Sequence, residues 1–300
     1  MKKHWIAIDW GTTNFRAFLM NENHPLARVA SPCGLLSVEN HDFTGALYQH
    51  LEPWVAEAGP LPILLAGMVG SQQGWNEVSY ASLPANGITL LEGIRPVSTP
   101  WGSPAWIVPG LCDESPWQQP DVMRGEEIQL LGLSALHPSP THFAILPGTH
   151  SKHARMEQGN ITAFSTLMTG ELFSLLTQHS LLGRNLPLQH EDEAVFLSGV
   201  IAAQHAVPFS HLIFAARTRR LSGEFAPEHI HSFISGLLIG HELSALPVGQ
   251  SAWIVGSTSL ATRYRLAARV TQHHLTAIEG DACFLRGMSE LRTLLQDSAS

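Results

Sequence analysis

Apolar positions along the chain fall into two successive rounds of the same order. Residues 5–10 and 14–20 alternate as a hairpin, and 26–31 add a third antiparallel strand. Leu47, Leu51, Trp54 and Val55 recur at helical spacing within 43–57, which predicts an amphipathic helix. Residues 62–66 then form a short apolar run ending at Gly67, and 105–108 another, stopped by Pro109-Gly110. Between them, 71–104 is rich in Gly, Pro, Ser and Asn and reads as an irregular insertion. A helix from about Gly125 to Leu136 closes the round, and His137-Pro138-Ser139-Pro140 makes a natural boundary.

The pattern restarts after that boundary. Residues 142–146 are strand-like, 148–152 form a turn, and 153–157 and 161–165 read as strands. A helix begins near Thr169, and further helices are predicted over 192–205 and 227–246. The second of these carries Gly236-x-x-x-Gly240, a spacing that in such a chain signals close helix packing. A buried strand over 252–256 ends on glycine, and helices near 258–272 and 281–295 flank a last strand, 275–279. The division expected is therefore residues 1–138 and 139–300, one fold-sized unit used twice.

Composition narrows the function classes. With 300 residues, 44% hydrophobic and 14% charged, the chain supports two well-buried cores. A net charge of −8 argues against a nucleic-acid or anionic-membrane surface, so an anionic substrate needs a local cluster of donors. Cys33, Cys112 and Cys283 are far apart and odd in number, which fits a reducing cytoplasm rather than a disulfide framework or a zinc site. The N-terminus lacks a signal-peptide pattern, and no apolar run reaches the ~20 residues of a membrane span. The 17 histidines lack the spacing of a metal centre.

Three segments offer phosphate chemistry. At Asp9-Trp10-Gly11-Thr12-Thr13-Asn14 a strand ends on a carboxylate, followed by hydroxyls and open backbone N–H groups suited to an anion. Pro147-Gly148-Thr149-His150-Ser151-Lys152 repeats that arrangement and adds a cation. Gly256-Ser257-Thr258-Ser259 sets a glycine at a strand end before a helix start, where backbone approaches a nucleotide closely. Two such hairpins facing each other would grip a polyphosphate from both sides. P-loop, dinucleotide, G-x-S-x-G and His-Glu-x-x-His motifs are absent.

These segments resemble the actin-like ATPase and sugar-kinase superfamily. The chain is similar, within it, to the 2-dehydro-3-deoxygalactonokinase family, through Ile8–Asn14, Ala66–Ser71 with Gly74-Trp75, Pro109–Leu111, Val122–Glu127, Pro147–Lys152, Met168–Glu171, Ser235–Gly240 and Gly256–Leu260. The resemblance implies an α/β fold of two ribonuclease-H-like domains with an inter-lobe cleft. It also implies ATP- and Mg²⁺-dependent phosphorylation of the 6-hydroxyl of 2-dehydro-3-deoxy-D-galactonate, in galactonate catabolism.

On that reading Asp9 anchors Mg²⁺, through water. Gly11, Thr12, Thr13, Asn14, Gly148, Thr149 and His150 hold phosphates, Gly256 and Ser257 the adenosine, and Lys152 is a mobile positive charge. Arg124, with its two-donor fork, and Ser71 take the substrate carboxylate. The second loop lacks the catalytic Asp of other sugar kinases, so Glu126, Glu127, Glu171 and Asp9 compete as general base, with Glu126 preferred. Kinase action on another sugar or sugar acid and an actin- or chaperone-type nucleotide-gated binding protein are the alternatives. Oligomeric state, a homodimer included, stays open.

Overall fold

A computed structural model describes residues 3–298 of the chain. The described residues group into two compact units. The first takes those up to His142, Ala154–Ser165 and those from Gly280 on, and the second takes Phe143–His153 and Thr166–Glu279.

In the first unit β1 (His4–Trp10), β2 (Phe15–Asn21) and β3 (His24–Ser31) form an antiparallel meander. Then come α1 (Phe43–Ala58), β4 (Ile63–Ala66), β5 (Ala81–Ser82), α2 (Gly87–Gly93), β6 (Arg95–Ser98) and β7 (Pro104–Ile107). A six-stranded sheet has the order β3-β2-β1-β4-β7-β6, with β1, β4 and β7 parallel. Leu47, Leu51 and Val55 of α1 pack with Ile6, Ile8, Ile63 and Leu65 in one fully apolar cluster, the burial that the helical spacing predicts. β8 (Leu111–Glu114) and β9 (Pro120–Met123) form a small sheet with β5. α3 (Glu126–Leu136) follows.

β10 (Thr141–Leu146), β11 (Ser151–Glu157) and β12 (Asn160–Leu167) begin the second round, and the outer parts of β11 and β12 belong to the first unit. α4 (Thr169–Gln178), α5 (Glu193–Ala203), α6 (Phe209–Leu221), α7 (Ile230–Leu243), β13 (Ser251–Gly256), α8 (Thr258–Thr271), β14 (His274–Glu279) and α9 (Gly280–Ser298) complete the chain. The second sheet is ordered β12-β11-β10-β13-β14, with β10, β13 and β14 parallel. This repeats the β3-β2-β1-β4-β7 order of the first sheet, the ribonuclease-H-like arrangement used twice. α7 packs on α5 through glycine, since a Cβ on Gly236 would stand 1.9 Å from the Phe196 carbonyl oxygen. The close packing expected of Gly236-x-x-x-Gly240 is therefore present. α9 returns to the first unit and packs on α3, where a Cβ on Gly132 would meet the Cys283 carbonyl at 1.7 Å.

Three features differ from the sequence expectation. Residues 71–104 are not irregular throughout: they contain β5, α2 and the edge strand β6, too short or proline-bearing to register as strands. The β8–β9 hairpin is polar on much of its length and shows no alternation. α6 lies outside the expected helices, because its apolar residues crowd its first two turns without amphipathic spacing and its last turns carry Arg217, Arg219 and Arg220.

Candidate active site

β1 carries Asp9 at its carboxyl end, in register with Ala66 of β4 and opposite Arg16 of β2. Gly67 follows β4 with φ 94°, and a Cβ there would lie 2.8 Å from the Trp10 carbonyl and 3.1 Å from Asp9 Oδ1. Only glycine meets both demands. Gly125, with φ 113°, starts α3, and a Cβ on it would lie 3.5 Å from Gly67 Cα. Strand end, glycine turn and the Arg124–Glu126 stretch thus come together within the first unit.

The Gly11–Asn14 turn is fixed from behind. Its Gly11 N–H donates to the Asn14 carbonyl (2.9 Å), and the carbonyls of Gly11, Thr12 and Thr13 accept from Leu35, Leu36 and Gly34. With those carbonyls engaged, Thr12, Thr13 and Asn14 stay exposed, a donor-rich surface suited to an anion. Asp9 is paired with Arg16, which also bridges to Asp281 at the start of α9, and Asp281 meets Arg28 at 3.2 Å. Burial alone would lower the Arg16 pKa, but the adjacent Asp9 and Asp281 carboxylates hold it above its ordinary value. Arg16 and Asp281 escaped the sequence reading, although hairpin register alone sets position 16 across from position 9.

Arg124 is 9% exposed. Its Nη2 donates to the Val78 carbonyl (2.8 Å), and its guanidinium lies 4.3 Å over the Tyr80 ring. Gly70 leaves room for it, because a Cβ there would stand 2.9 Å from Arg124 Nη1. Arg124 Nε and Nη1 have no hydrogen-bond partner, nor does the buried Ser71 Oγ. Buried donors left open in this way have hydrogen-bonding capacity to spare for water or a ligand. An arginine held flat by an aromatic ring presents a fork for a carboxylate.

The two acids beside Arg124 differ. Glu126 Oε2 accepts from the Arg124 N–H (3.1 Å) and the residue is only partly buried. Glu127 is fully buried, and both its oxygens accept from the Gly125 N–H, at 2.9 and 2.7 Å. Burial, reinforced by Glu126 and opposed by backbone N–H groups and Arg124, pushes its pKa up to about 8. An acid whose folded pKa exceeds its unfolded one contributes stability at low pH that is lost as pH rises toward the folded value. Urea stability is expected to fall between about pH 5 and pH 8, and Glu127→Gln to flatten that fall. An unaltered slope in the variant would contradict this assignment.

The second unit assembles the other two stations. The 147–152 turn joins β10 to β11, and Gly170 at the start of α4 backs onto it so closely that a Cβ would stand 2.3 Å from the Gly148 carbonyl. Glu171 N–H donates to the Thr149 carbonyl (2.9 Å), and His150 Nε2 lies 2.6 Å from Glu171 Oε2. Lys152 is not a mobile surface cation: it is 5% exposed and its Nζ donates to Thr166 Oγ1 at 2.7 Å. Gly256 ends β13 beside Pro147, its would-be Cβ 3.6 Å from the proline ring, and Ser257 caps α8. Thr258 Oγ1 donates to Glu279 Oε1 (2.5 Å). Beneath the turn lies Glu242, a buried acid that the sequence reading passed over. Its carboxylate accepts from Ser151, His153, Thr169 and Tyr264.

Among the described residues no helix is long and apolar enough to cross a membrane, and no group of three or more His, Cys, Asp or Glu is placed to hold a metal ion. A single strand-end carboxylate still suits Mg²⁺, which takes one or two protein oxygens and completes its shell with water and phosphate.

The chain is similar to known proteins over nearly all its length. The 2-dehydro-3-deoxygalactonokinase of Escherichia coli strain K12 is 35% identical, over 97% of this chain and 98% of that protein. A Sinorhizobium meliloti protein whose crystal structure bears the 2-dehydro-3-deoxygalactonokinase name superposes with TM-score 0.89 at 32% identity, covering 97% of this chain and 96% of that one. The activator of 2-hydroxyisocaproyl-CoA dehydratase from Clostridium difficile, solved with ADPNP, shares the fold at TM-score 0.53 and 11% identity, over 99% of this chain and 97% of that one. The 2-keto-3-deoxy-galactonokinase family profile matches residues 9–291, and the chain belongs to that family.

Proposed function

We propose that the protein transfers the γ-phosphoryl group of ATP to the 6-hydroxyl of 2-dehydro-3-deoxy-D-galactonate, giving ADP and the 6-phosphate, in galactonate catabolism in the cytoplasm. Membership of a kinase family supports the reaction class. The observation that carries the substrate class is Arg124, a buried guanidinium whose Nε and Nη1 are open and whose Nη1 lies against Gly70, the residue before Ser71. A neutral sugar brings hydroxyl acceptors but no countercharge, whereas a sugar acid brings a carboxylate.

Placement supports the remaining roles. Residues 1–138 supply the sugar-acid pocket and the first phosphate turn, and 139–300 the second phosphate turn and the adenosine station. Thr12, Thr13 and Asn14 donate to phosphate from the turn that Gly11 opens, and Gly148, Thr149 and His150 form a second phosphate-donating turn. Gly256 and Ser257 let the adenosine approach backbone. Lys152, tied to Thr166, adds fixed positive charge to its turn.

Asp9 holds Mg²⁺, whose chemistry is to neutralise charge on the phosphates. Arg16 keeps a second carboxylate in Asp281, so its charge stays compensated when Asp9 faces a cation. Glu126 receives the hydroxyl proton: it is partly accessible and follows Gly125, which packs against Gly67, whereas Glu127 is sealed in and Glu171 is paired with His150 in the second unit.

The test is ADP release measured over a panel of neutral hexoses, aldonic acids and 2-keto-3-deoxy acids. Turnover is expected with 2-keto-3-deoxy acids, highest for the galactonate derivative. Equal or faster turnover of a neutral hexose would overturn the role given to Arg124.

A further inference from the structure

Glu242 lies near the end of α7, as the one acid of that largely buried helix, and is 1% exposed. Its Oε1 accepts from Ser151 Oγ (2.7 Å) and His153 Nε2 (2.9 Å), and its Oε2 from Tyr264 O–H (2.8 Å) and Thr169 Oγ1. Four donors on two oxygens use the acceptor capacity of an ionised carboxylate. Burial would raise the carboxyl pKa, yet the His153 and hydroxyl contacts outweigh it and hold the group below its ordinary value.

The donors are distributed with a pattern. Ser151 and His153 lie on β11, at and just after the exit of the 147–152 turn. Thr169 opens α4, whose next two residues touch that turn through Gly170 against the Gly148 carbonyl and the Glu171 N–H on the Thr149 carbonyl. Tyr264 belongs to α8, the helix that Ser257 caps at the third station. One carboxylate therefore ties down the chain leaving the turn, the helix backing it and the helix of the neighbouring station.

We propose that Glu242 is a positioning residue for ATP: its buried carboxylate holds the Gly148-Thr149 turn in the conformation that receives phosphate. The inference rests on the reading of that turn as a phosphate site. An apolar side chain at 242 would leave four donors without an acceptor. An amide is the more informative change, because Gln keeps the shape but turns an NH₂ group toward hydroxyl and ring N–H donors.

The experiment compares wild type, Glu242→Gln, Tyr264→Phe, Ser151→Ala and Thr149→Ala in nucleotide titration and steady-state kinetics. Glu242→Gln is expected to raise the ATP Kd and KM by about tenfold or more, and to leave the sugar-acid KM within about twofold. Tyr264→Phe and Ser151→Ala each remove one donor and are expected to raise the ATP KM by a smaller factor, so the proposal remains testable if Glu242→Gln does not fold. If Thr149→Ala weakens ATP binding while the other three bind ATP as wild type does, the positioning role is wrong and the phosphate site stands. If Thr149→Ala leaves ATP binding unchanged, the reading of the turn itself falls. A loss of active protein with both KM values unmoved reduces Glu242 to a structural residue and also overturns the proposal.

Discussion

Replacing Asp9 with alanine is expected to lower kcat by about 10³-fold or more while the protein stays folded. A metal anchor in phosphoryl transfer acts on charge that builds up at the reacting phosphate, so its loss falls on the chemical step. The structural cost is modest by comparison. Asp9 and Arg16 are both partly exposed, and Arg16 keeps its bridge to Asp281. A pair of that kind contributes roughly 1 kcal/mol or less. Asp9→Asn separates charge from shape, since it can still accept from Arg16 yet offers a cation a neutral oxygen. Both variants should melt cooperatively near the wild-type temperature in circular dichroism and be nearly inactive in a coupled ADP assay. An alanine variant with near wild-type turnover would remove Asp9 from the metal site.

Arg124→Ala is expected to raise the sugar-acid KM by about 100-fold, with the ATP KM within about twofold. Two charge-assisted hydrogen bonds at roughly 1.5 kcal/mol each account for that factor. The substitution also removes the bond to Val78 and the stacking on Tyr80, so some loss of stability accompanies it. Arg124→Lys distinguishes charge from geometry. Lysine restores a positive point but neither the planar fork nor the fit over the ring, and recovery should be partial. A variant that binds the sugar acid as tightly as wild type would leave the open Nε and Nη1 atoms without their assigned ligand.

The hairpin ending at Asp9, the strand before Gly67, the turn at Gly148 and the glycine end of β13 were all legible from local pattern. Each couples an apolar strand to a residue type that only a turn or a close approach calls for. The repeated strand order was legible for the same reason, and the family resemblance was carried by motifs spread along the chain.

What local pattern does not encode is which distant elements share a core. α9 packs on α3 through Gly132 and Gly287, a contact across more than half the chain. The state of Lys152 depended on Thr166, on the adjacent strand, which turns an apparent surface cation into a fixed one. β6, β8 and β9 are short edge or hairpin strands with proline or charge on them, the composition that suppresses a strand signal. Glu242 did leave a trace, as the lone acid in an apolar stretch. An acid there needs buried donors, and only the fold reveals that they come from the strand after the Gly148 turn and from two neighbouring helices.

The most direct test of the account is to identify the products formed from Mg-ATP and 2-dehydro-3-deoxy-D-galactonate by phosphorus and carbon NMR. The account predicts one phosphomonoester on the C6 oxygen, formed in step with an equal amount of ADP. Release of inorganic phosphate without a sugar phosphate, or a phosphoester at another carbon, would contradict it.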